Sequence, residues 1–99
     1  MSMFTVDRTD VFAKWLKKLK DRRAKAIILN HIDNMEEGKL GVFDPVGGGV
    51  YEKKIDYGPG YRLYCGKKGE HIILLLFGGD KSTQQNDIKK AQKIWEDLK

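Results

Sequence analysis

An uninterrupted apolar run, IILLLF at Ile72–Phe77, limits the possible folds of this 99-residue chain more than any other stretch of its sequence. The run is far too short to cross a bilayer, which takes about 20 residues as a helix. Its length suits a β-strand, and a strand without a polar side has to be covered on both faces. The sequence therefore predicts a central strand at about 71–77, with other layers packed on each side of its sheet.

Two shorter β-rich runs precede this strand and are separated by turn-forming residues. They extend over about Val50–Asp56 and Gly60–Gly66, and the sequences YGPG and GKKGE provide the turns. Connections this short join antiparallel neighbours. Gly47–Gly49 is interpreted as a flexible hairpin loop ahead of the first run. A short strand at about Phe4–Val6 opens the chain and could pair beside the apolar strand.

Helical spacing of apolar residues organises the remaining segments. A second helix is expected from about Asp21 to Glu37, with Gly38 as its C-terminal cap. Ser82 and Gln85 match a capping box at the start of a final helix. The first helix, capped by Asp7 or Thr9, has an apolar face made of Phe12, Trp15, Leu16 and Leu19. The predicted fold is a single α+β domain over residues 1–99, of order β-α-α-β-β-β-α, in which a helical hairpin packs on a small antiparallel sheet.

Composition narrows the classes of function. The 19 basic residues outnumber the 14 acidic ones, giving a net charge of +5, which favours a polyanionic partner but equally serves solubility. Cys65 is the single cysteine and the two histidines lack ligand spacing, so we expect no disulfide and no metal site. The start MSMFTVDRTD has no apolar stretch of a signal peptide, and we expect a cytoplasmic protein without a membrane segment.

The alternation of residues in the two hairpin strands brings a polar set onto one sheet surface. If the apolar residues of both strands point inward, the opposite surface displays Glu52, Lys54, Arg62 and Tyr64. Lys81 follows the apolar strand and could reach over the same surface. We expect the acid and the cations to converge on one open concavity of nucleotide size.

These residue types suit cleavage of an RNA phosphodiester. A carboxylate such as Glu52 can take the proton of the 2′-hydroxyl, and cations such as Arg62 stabilise the charge that develops on phosphate oxygens. The Tyr64 ring can stack on an unpaired base, and Lys53 is added as a second RNA-binding candidate. The alternative is structural, because charges on an outward sheet face usually form solvated cross-strand pairs.

Two segments resemble the HigB-like addiction-module killer proteins of the RelE/ParE toxin superfamily. GPGYRLY is similar to the second half of the pattern Y-E-L-R-I-D-x-G-P-G-Y-R-V-Y, and LLLFGGDKSTQQNDIKKA is similar to L-L-x-G-G-D-K-S-T-Q-x-x-D-I-x-x-A. The helical start FAKWLKKLKDRRAKAIILNHI also resembles the family. The resemblance extends from about Phe12 to Ile94, and it implies the RelE/ParE fold.

The resemblance also implies roles for matching residues. Arg62 matches a strand arginine that contacts phosphate, Glu52 a glutamate that acts as general base, and Lys81 a basic residue that serves as acid or phosphate ligand. Lys54 stands where the family pattern has arginine, so it keeps the charge without the planar fork. Lys53 replaces a leucine. A histidine–tyrosine pair found near the end of some members is absent after Phe77, so the identity of the general acid stays open.

The function that the resemblance implies is a toxin of a type II toxin–antitoxin system. It would be a ribosome-dependent, metal-independent endoribonuclease (an mRNA interferase) that cleaves translated mRNA without a cofactor. Its partners would be the ribosome, mRNA and a cognate antitoxin, a helix-turn-helix protein of the HigA kind through which the complex reaches operator DNA. Two alternatives stay open: a ParE-like toxin that binds DNA gyrase, and a degenerate toxin that serves as a co-repressor subunit.

Overall fold

Two helices pack on one face of a five-stranded sheet, and a third helix packs on the other face. The computed structural model describes residues 3–98 of the chain. In chain order the elements are β1 (Thr5–Arg8), α1 (Asp10–Lys18), α2 (Arg22–Glu36), β2 (Asp44–Gly47), β3 (Val50–Ile55), β4 (Tyr61–Lys67), β5 (Ile72–Asp80), a 3₁₀ turn (Lys81–Thr83) and α3 (Gln84–Leu98). The order of strands across the sheet is β1-β5-β4-β3-β2.

The apolar strand β5 lies inside the sheet and is covered on both faces, as predicted. Ile73 and Leu75 belong to the core shared with α1 and α2. Leu74 and Leu76, which alternate with them, belong to a second core beneath α3. The absence of a polar side in this run thus reflects two separate cores, one on each face of the sheet.

The predicted sheet was incomplete in two respects. Strand β1 pairs with β5 in the parallel direction, with Thr5 opposite Ile72, so the sheet is mixed and not purely antiparallel. The predicted order also missed β2, which pairs with β3 at the edge of the sheet. Pro45 made a strand unexpected here, because proline cannot donate a hydrogen bond to its neighbouring strand and is tolerated only at the edge of a sheet. The Gly47–Gly49 hairpin was predicted correctly, since β2 ends and β3 begins around it.

The N-terminal cap predicted for α1 is confirmed at Thr9, and the one predicted for α3 is not. Thr9 caps α1 and Asp21 caps α2, each through a side-chain oxygen that accepts backbone N–H groups of the first turn. The predicted capping box of Ser82 and Gln85 was wrong. Asp80 instead accepts from the backbone N–H of Ser82 and begins the 3₁₀ turn, so that α3 starts only at Gln84.

Two glycines allow the outer helices to approach the sheet closely. A Cβ atom at Gly78 would overlap the Trp15 ring of α1, and a Cβ at Gly66 would overlap the Trp95 ring of α3. Each tryptophan therefore lies flat against a strand position that has no side chain. Within residues 3–98, no helix is both long and apolar enough to cross a bilayer.

Candidate functional site

The four polar residues predicted to share a sheet surface do share one. Glu52 of β3 lies opposite Tyr64 of β4, and Lys54 lies opposite Arg62. The surface is not open, however, because the short 3₁₀ connection brings α3 back across it. Only 2% of Glu52, 8% of Arg62 and none of Tyr64 is exposed. The prediction of an open concavity was wrong because it did not place the final helix over these two strands.

Glu52 and Arg62 form a buried ion pair beneath the first turn of α3. The Arg62 Nε atom lies 3.6 Å from Glu52 Oε2, and Arg62 Nη1 donates to the Gly60 carbonyl oxygen at 2.8 Å. The Gln84 amide, at the start of α3, donates to Glu52 Oε2 at 2.8 Å. The guanidinium therefore contacts polar groups at the end of the strand, and the carboxylate is held by two separate elements.

Two donors in this cluster lack a well-formed hydrogen bond. The Arg62 Nε–H and the Tyr64 hydroxyl are buried, and neither makes a hydrogen bond of good geometry within the described residues, although the Glu52 carboxylate lies beside both. Burial, reinforced by the nearby negative charges of Glu52 and Asp87, raises the pKa of the Tyr64 phenol well above its ordinary value, and Arg62 opposes this only in part. The Tyr64 phenol therefore keeps its proton to higher pH than an ordinary tyrosine does.

Lysine ammonium groups mark the exposed rim of the cluster. Lys54 and Lys81 are both exposed. A Cβ atom placed on Gly60 would lie 3.4 Å from Arg62 Nη1 and 3.6 Å from Lys81 Cβ. The backbone turn at Gly60 thus lies against both the guanidinium and the base of the Lys81 side chain, so Lys81 starts at the same end of the sheet as Arg62 and Lys54.

Tyr64 and Lys53, the two residues predicted to bind RNA, are not exposed on the predicted surface. The Tyr64 ring is entirely buried and cannot stack on a base in this conformation. Lys53 points to the opposite face, where it is 7% exposed and its ammonium donates to the Leu40 carbonyl oxygen at 2.9 Å. Burial lowers the pKa of Lys53, with Cys65 acting in the opposite direction. Alternation of residues along β3 already separated Lys53 from Glu52 and Lys54.

Sequence reasoning missed a second buried acid in the cluster. Asp87 is only 4% exposed, accepts a hydrogen bond from the Thr83 hydroxyl, and lies so close to Gly79 that a Cβ there would overlap its carboxylate. The signal was present in the sequence, since Asp87 precedes Ala91 by one helical turn on the buried face of α3. Within residues 3–98, no three histidine, cysteine or acidic residues are grouped as a metal site would require.

This arrangement of layers is the fold of the RelE toxins. A chain in the toxin–antitoxin complex RelBE2 from Mycobacterium tuberculosis superposes with a TM-score of 0.64 at 24% identity, over 83% of this chain and 95% of that one. A mutant of E. coli toxin RelE in the free state superposes with a TM-score of 0.60 at 18% identity, over 91% of this chain and 98% of that one. The predicted fold of the superfamily is therefore confirmed.

A sequence relative defines the family more narrowly. An uncharacterized protein of Haemophilus influenzae is 42% identical over 93 residues, which make up 94% of each chain. The chain belongs to the family of this Haemophilus protein. No protein-family model matches the sequence.

Proposed function

We propose that the protein is the toxin of a toxin–antitoxin system, of the HigB-like kind, and that it is a ribosome-dependent endoribonuclease acting on translated mRNA. The fold of the RelE toxins supports the class of protein. The buried cluster of Glu52, Arg62 and Tyr64 supports the chemistry, with Lys54 and Lys81 at its rim. The reaction needs only side chains of this protein, without a metal ion.

The observation that carries the proposal is the pair of unused donors beside Glu52. A buried donor without an acceptor costs about 1–3 kcal/mol, and native proteins retain few of them. The Arg62 Nε–H and the Tyr64 hydroxyl are both of this kind. An anionic oxygen would satisfy such donors, and a phosphate oxygen suits the guanidinium fork in particular.

The Gln84 amide occupies the position that a substrate hydroxyl would take. It donates to Glu52 Oε2 at 2.8 Å, and a ribose 2′-hydroxyl would donate to the same oxygen. We assign substrate entry to rotation of the Gln84 side chain away from Glu52, which needs no break in the sheet. The 2′-hydroxyl then replaces one donor with another, so the carboxylate keeps its hydrogen bond throughout.

The chemical step follows from these positions. Glu52 takes the proton of the 2′-hydroxyl as the 2′-oxygen attacks phosphorus, and Arg62 and Lys54 stabilise the charge on the phosphate oxygens. The bond from phosphorus to the 5′-oxygen breaks, and this oxygen takes a proton from the exposed ammonium of Lys81. The products are a 2′,3′-cyclic phosphate and a 5′-hydroxyl end. Tyr64 lies buried beneath α3 and is not assigned to stacking on a base.

The partners in this proposal are the ribosome with its mRNA and a cognate antitoxin. One of the similar structures is a toxin–antitoxin complex, which supports an antitoxin partner here. A HigA-like helix-turn-helix antitoxin would connect the complex to operator DNA, and the system would act in the cytoplasm. The net charge of +5 suits the approach of the toxin to ribosomal RNA.

A second function, binding DNA gyrase as ParE-like toxins do, is favoured by one observation. Glu52 and Arg62 are already paired and covered by α3, which is how a purely structural ion pair would look. In that case the cluster would hold α3 on the sheet, and the toxic surface would lie elsewhere.

Induction of the protein in bacteria, followed by mapping of new RNA 5′ ends, separates these functions. We expect cuts in translated messages, in phase with codons, that leave 5′-hydroxyl ends. Lys81→Ala should reduce cleavage strongly without loss of stability because Lys81 is exposed, whereas Lys20→Ala, an exposed lysine between α1 and α2, should leave cleavage unchanged. Growth arrest with intact messages and broken DNA would instead establish the gyrase function, and absence of arrest would exclude a toxin of either kind.

A further inference from the structure

We infer that a groove between α1, β5 and α3 binds an acidic, amphipathic segment of a partner protein. The groove has a volume of about 400 Å³. Its apolar floor is formed by Val11, Phe77 and Ile94, and its rim is formed by Lys89, Lys90 and Lys93. We call this feature the lysine-rimmed groove.

The floor of the groove exists because β1 is shorter than β5. Strand β1 pairs with β5 only as far as Arg8 opposite Leu75, and the chain then turns into α1. Phe77 lies beyond the last pair and is left half-buried, and Val11 in the first turn of α1 is 43% exposed. Removing such apolar surface from water is favourable, which gives a partner a reason to cover it.

The rim determines which partner the groove fits. Lys89, Lys90 and Lys93 are exposed, and the Lys90 ammonium lies 5.5 Å from the centre of the Phe77 ring. Lys93 pairs with Asp97 one turn later at 3.3 Å, but both groups are solvated and such pairs are weak. The rim therefore favours carboxylates, while the floor favours apolar side chains at helical spacing.

The side of α1 that carries Val11 also carries positive charge. Lys14 and Lys18 follow Val11 by three and seven residues on α1, which places them near Val11 around the helix. Both are exposed. A segment lying between α1 and α3 would thus meet lysines on each side, and an acidic helix with one apolar stripe satisfies both walls and the floor.

The apolar floor distinguishes a protein partner from a nucleic acid. An RNA backbone would neutralise the lysines, but its phosphates gain nothing from Val11, Phe77 and Ile94. If the protein is the toxin proposed above, the segment belongs to its antitoxin, and in that respect the inference rests on the proposed function. The binding experiment below requires neither cleavage nor toxicity, so the two can fail separately.

The test is titration of the isotopically labelled protein with a designed peptide of about five helical turns. The peptide has leucine at positions i, i+4, i+7 and i+11 and glutamate at most other positions, and it is followed by NMR. We expect saturable shifts of backbone amides at Val11, Phe77 and Lys89–Ile94. A matched peptide with lysine in place of glutamate should bind at least ~10-fold more weakly.

Variants of the groove separate the contributions of floor and rim. Val11→Asp should weaken binding by ~10-fold or more, mainly through faster dissociation, whereas Leu29→Asp, at a similarly exposed apolar position on α2, should have no effect. Reversal of charge at Lys89, Lys90 and Lys93 should slow association and remove its dependence on salt.

Three outcomes would overturn the inference. These are the absence of saturable shifts up to ~1 mM peptide, shifts that map to another surface, and equal loss of binding in Leu29→Asp. A single-stranded RNA that shifts the same amides and competes with the peptide would show that the groove binds nucleic acid. None of these results would affect the test by RNA 5′-end mapping, and loss of RNA cleavage would leave the peptide titration unchanged.

Discussion

Replacement of Arg62 by alanine is the perturbation whose magnitude the structure defines best. The side chains of Arg62 and Glu52 are 10% and 3% exposed, so the substitution leaves a carboxylate buried without its cation. Breaking one side of a buried pair costs about 3–5 kcal/mol. Gln84 still donates to Glu52, which places the expected loss at the lower end, at about 3 kcal/mol.

A loss of this size would be conspicuous in a domain of 99 residues. Each kcal/mol corresponds to about 4–8 °C in the melting temperature of a domain this small, so we expect a decrease of roughly 12–24 °C. Urea unfolding followed by the fluorescence of Trp15 and Trp95, which lie on opposite faces of the sheet, would measure the free energy directly. Toxicity and stability of the Arg62→Ala variant therefore have to be measured together, because unfolding alone would abolish toxicity.

The double substitution Glu52→Gln with Arg62→Met is the matched control. It removes both charges and keeps similar volumes, and such replacements are often neutral or stabilising. The amide of residue 52 can still accept from Gln84. We expect the double variant to recover most of the stability and to remain without nuclease activity. A cost below about 1 kcal/mol for Arg62→Ala, the range of exposed ion pairs, would refute the argument that this pair is buried.

Three further predictions concern single positions. Tyr64→Phe removes a buried hydroxyl that makes no hydrogen bond of good geometry. Urea unfolding should show that the variant is as stable as the native protein or more stable by about 1 kcal/mol, while toxicity on induction decreases. A clear loss of stability would mean that the hydroxyl is bonded. Burial raises the pKa of Cys65 from 9.0 to about 12, so above pH 9 the folded state retains a proton that the unfolded chain loses. The free energy of unfolding should therefore be at its full value below pH 9 and decrease above it by up to ~1.4 kcal/mol per pH unit. In Cys65→Ala this decrease should begin only near pH 10, where Tyr64 follows by the same reasoning; an unchanged urea–pH profile would contradict it. Gly78→Ala forces a Cβ into the Trp15 ring and should lower the free energy of unfolding by about 3 kcal/mol. The control Gly69→Ala, where φ is +77° and the space is open, should lower it by about 1 kcal/mol. Equal losses in thermal melts would refute the proposed overlap.

Much of the fold was predictable because hydrophobic periodicity and turn residues act locally. The apolar run of β5, the turns on each side of β4 and the start of α2 next to Asp21 all lie where sequence reasoning placed them. The parallel pairing of β1 was beyond such reasoning, because nothing in Thr5–Arg8 encodes the direction of its neighbour. The short strand β2 was missed because its proline and glycine are typical of loops.

The sequence predicts which residues of β3 and β4 share a sheet surface, but not whether that surface is exposed to solvent. Strict alternation along antiparallel strands is enough to pair Glu52 with Tyr64 and Lys54 with Arg62. Whether that surface is open depends on which side of the sheet α3 returns to, and this is decided by residues far apart in the chain. The same uncertainty explains why Tyr64 was expected at the surface.

The sequence by itself determined the segments, the β3–β4 register and the set of charged residues that share a sheet surface. These properties follow from local periodicity, and they hold whatever the rest of the chain does. Only the tertiary structure decided that α3 covers this surface, that Arg62 and Glu52 become a buried pair, and that two donors are left unused. The physical reason is that burial and pairing are properties of the space between elements, which no single segment contains.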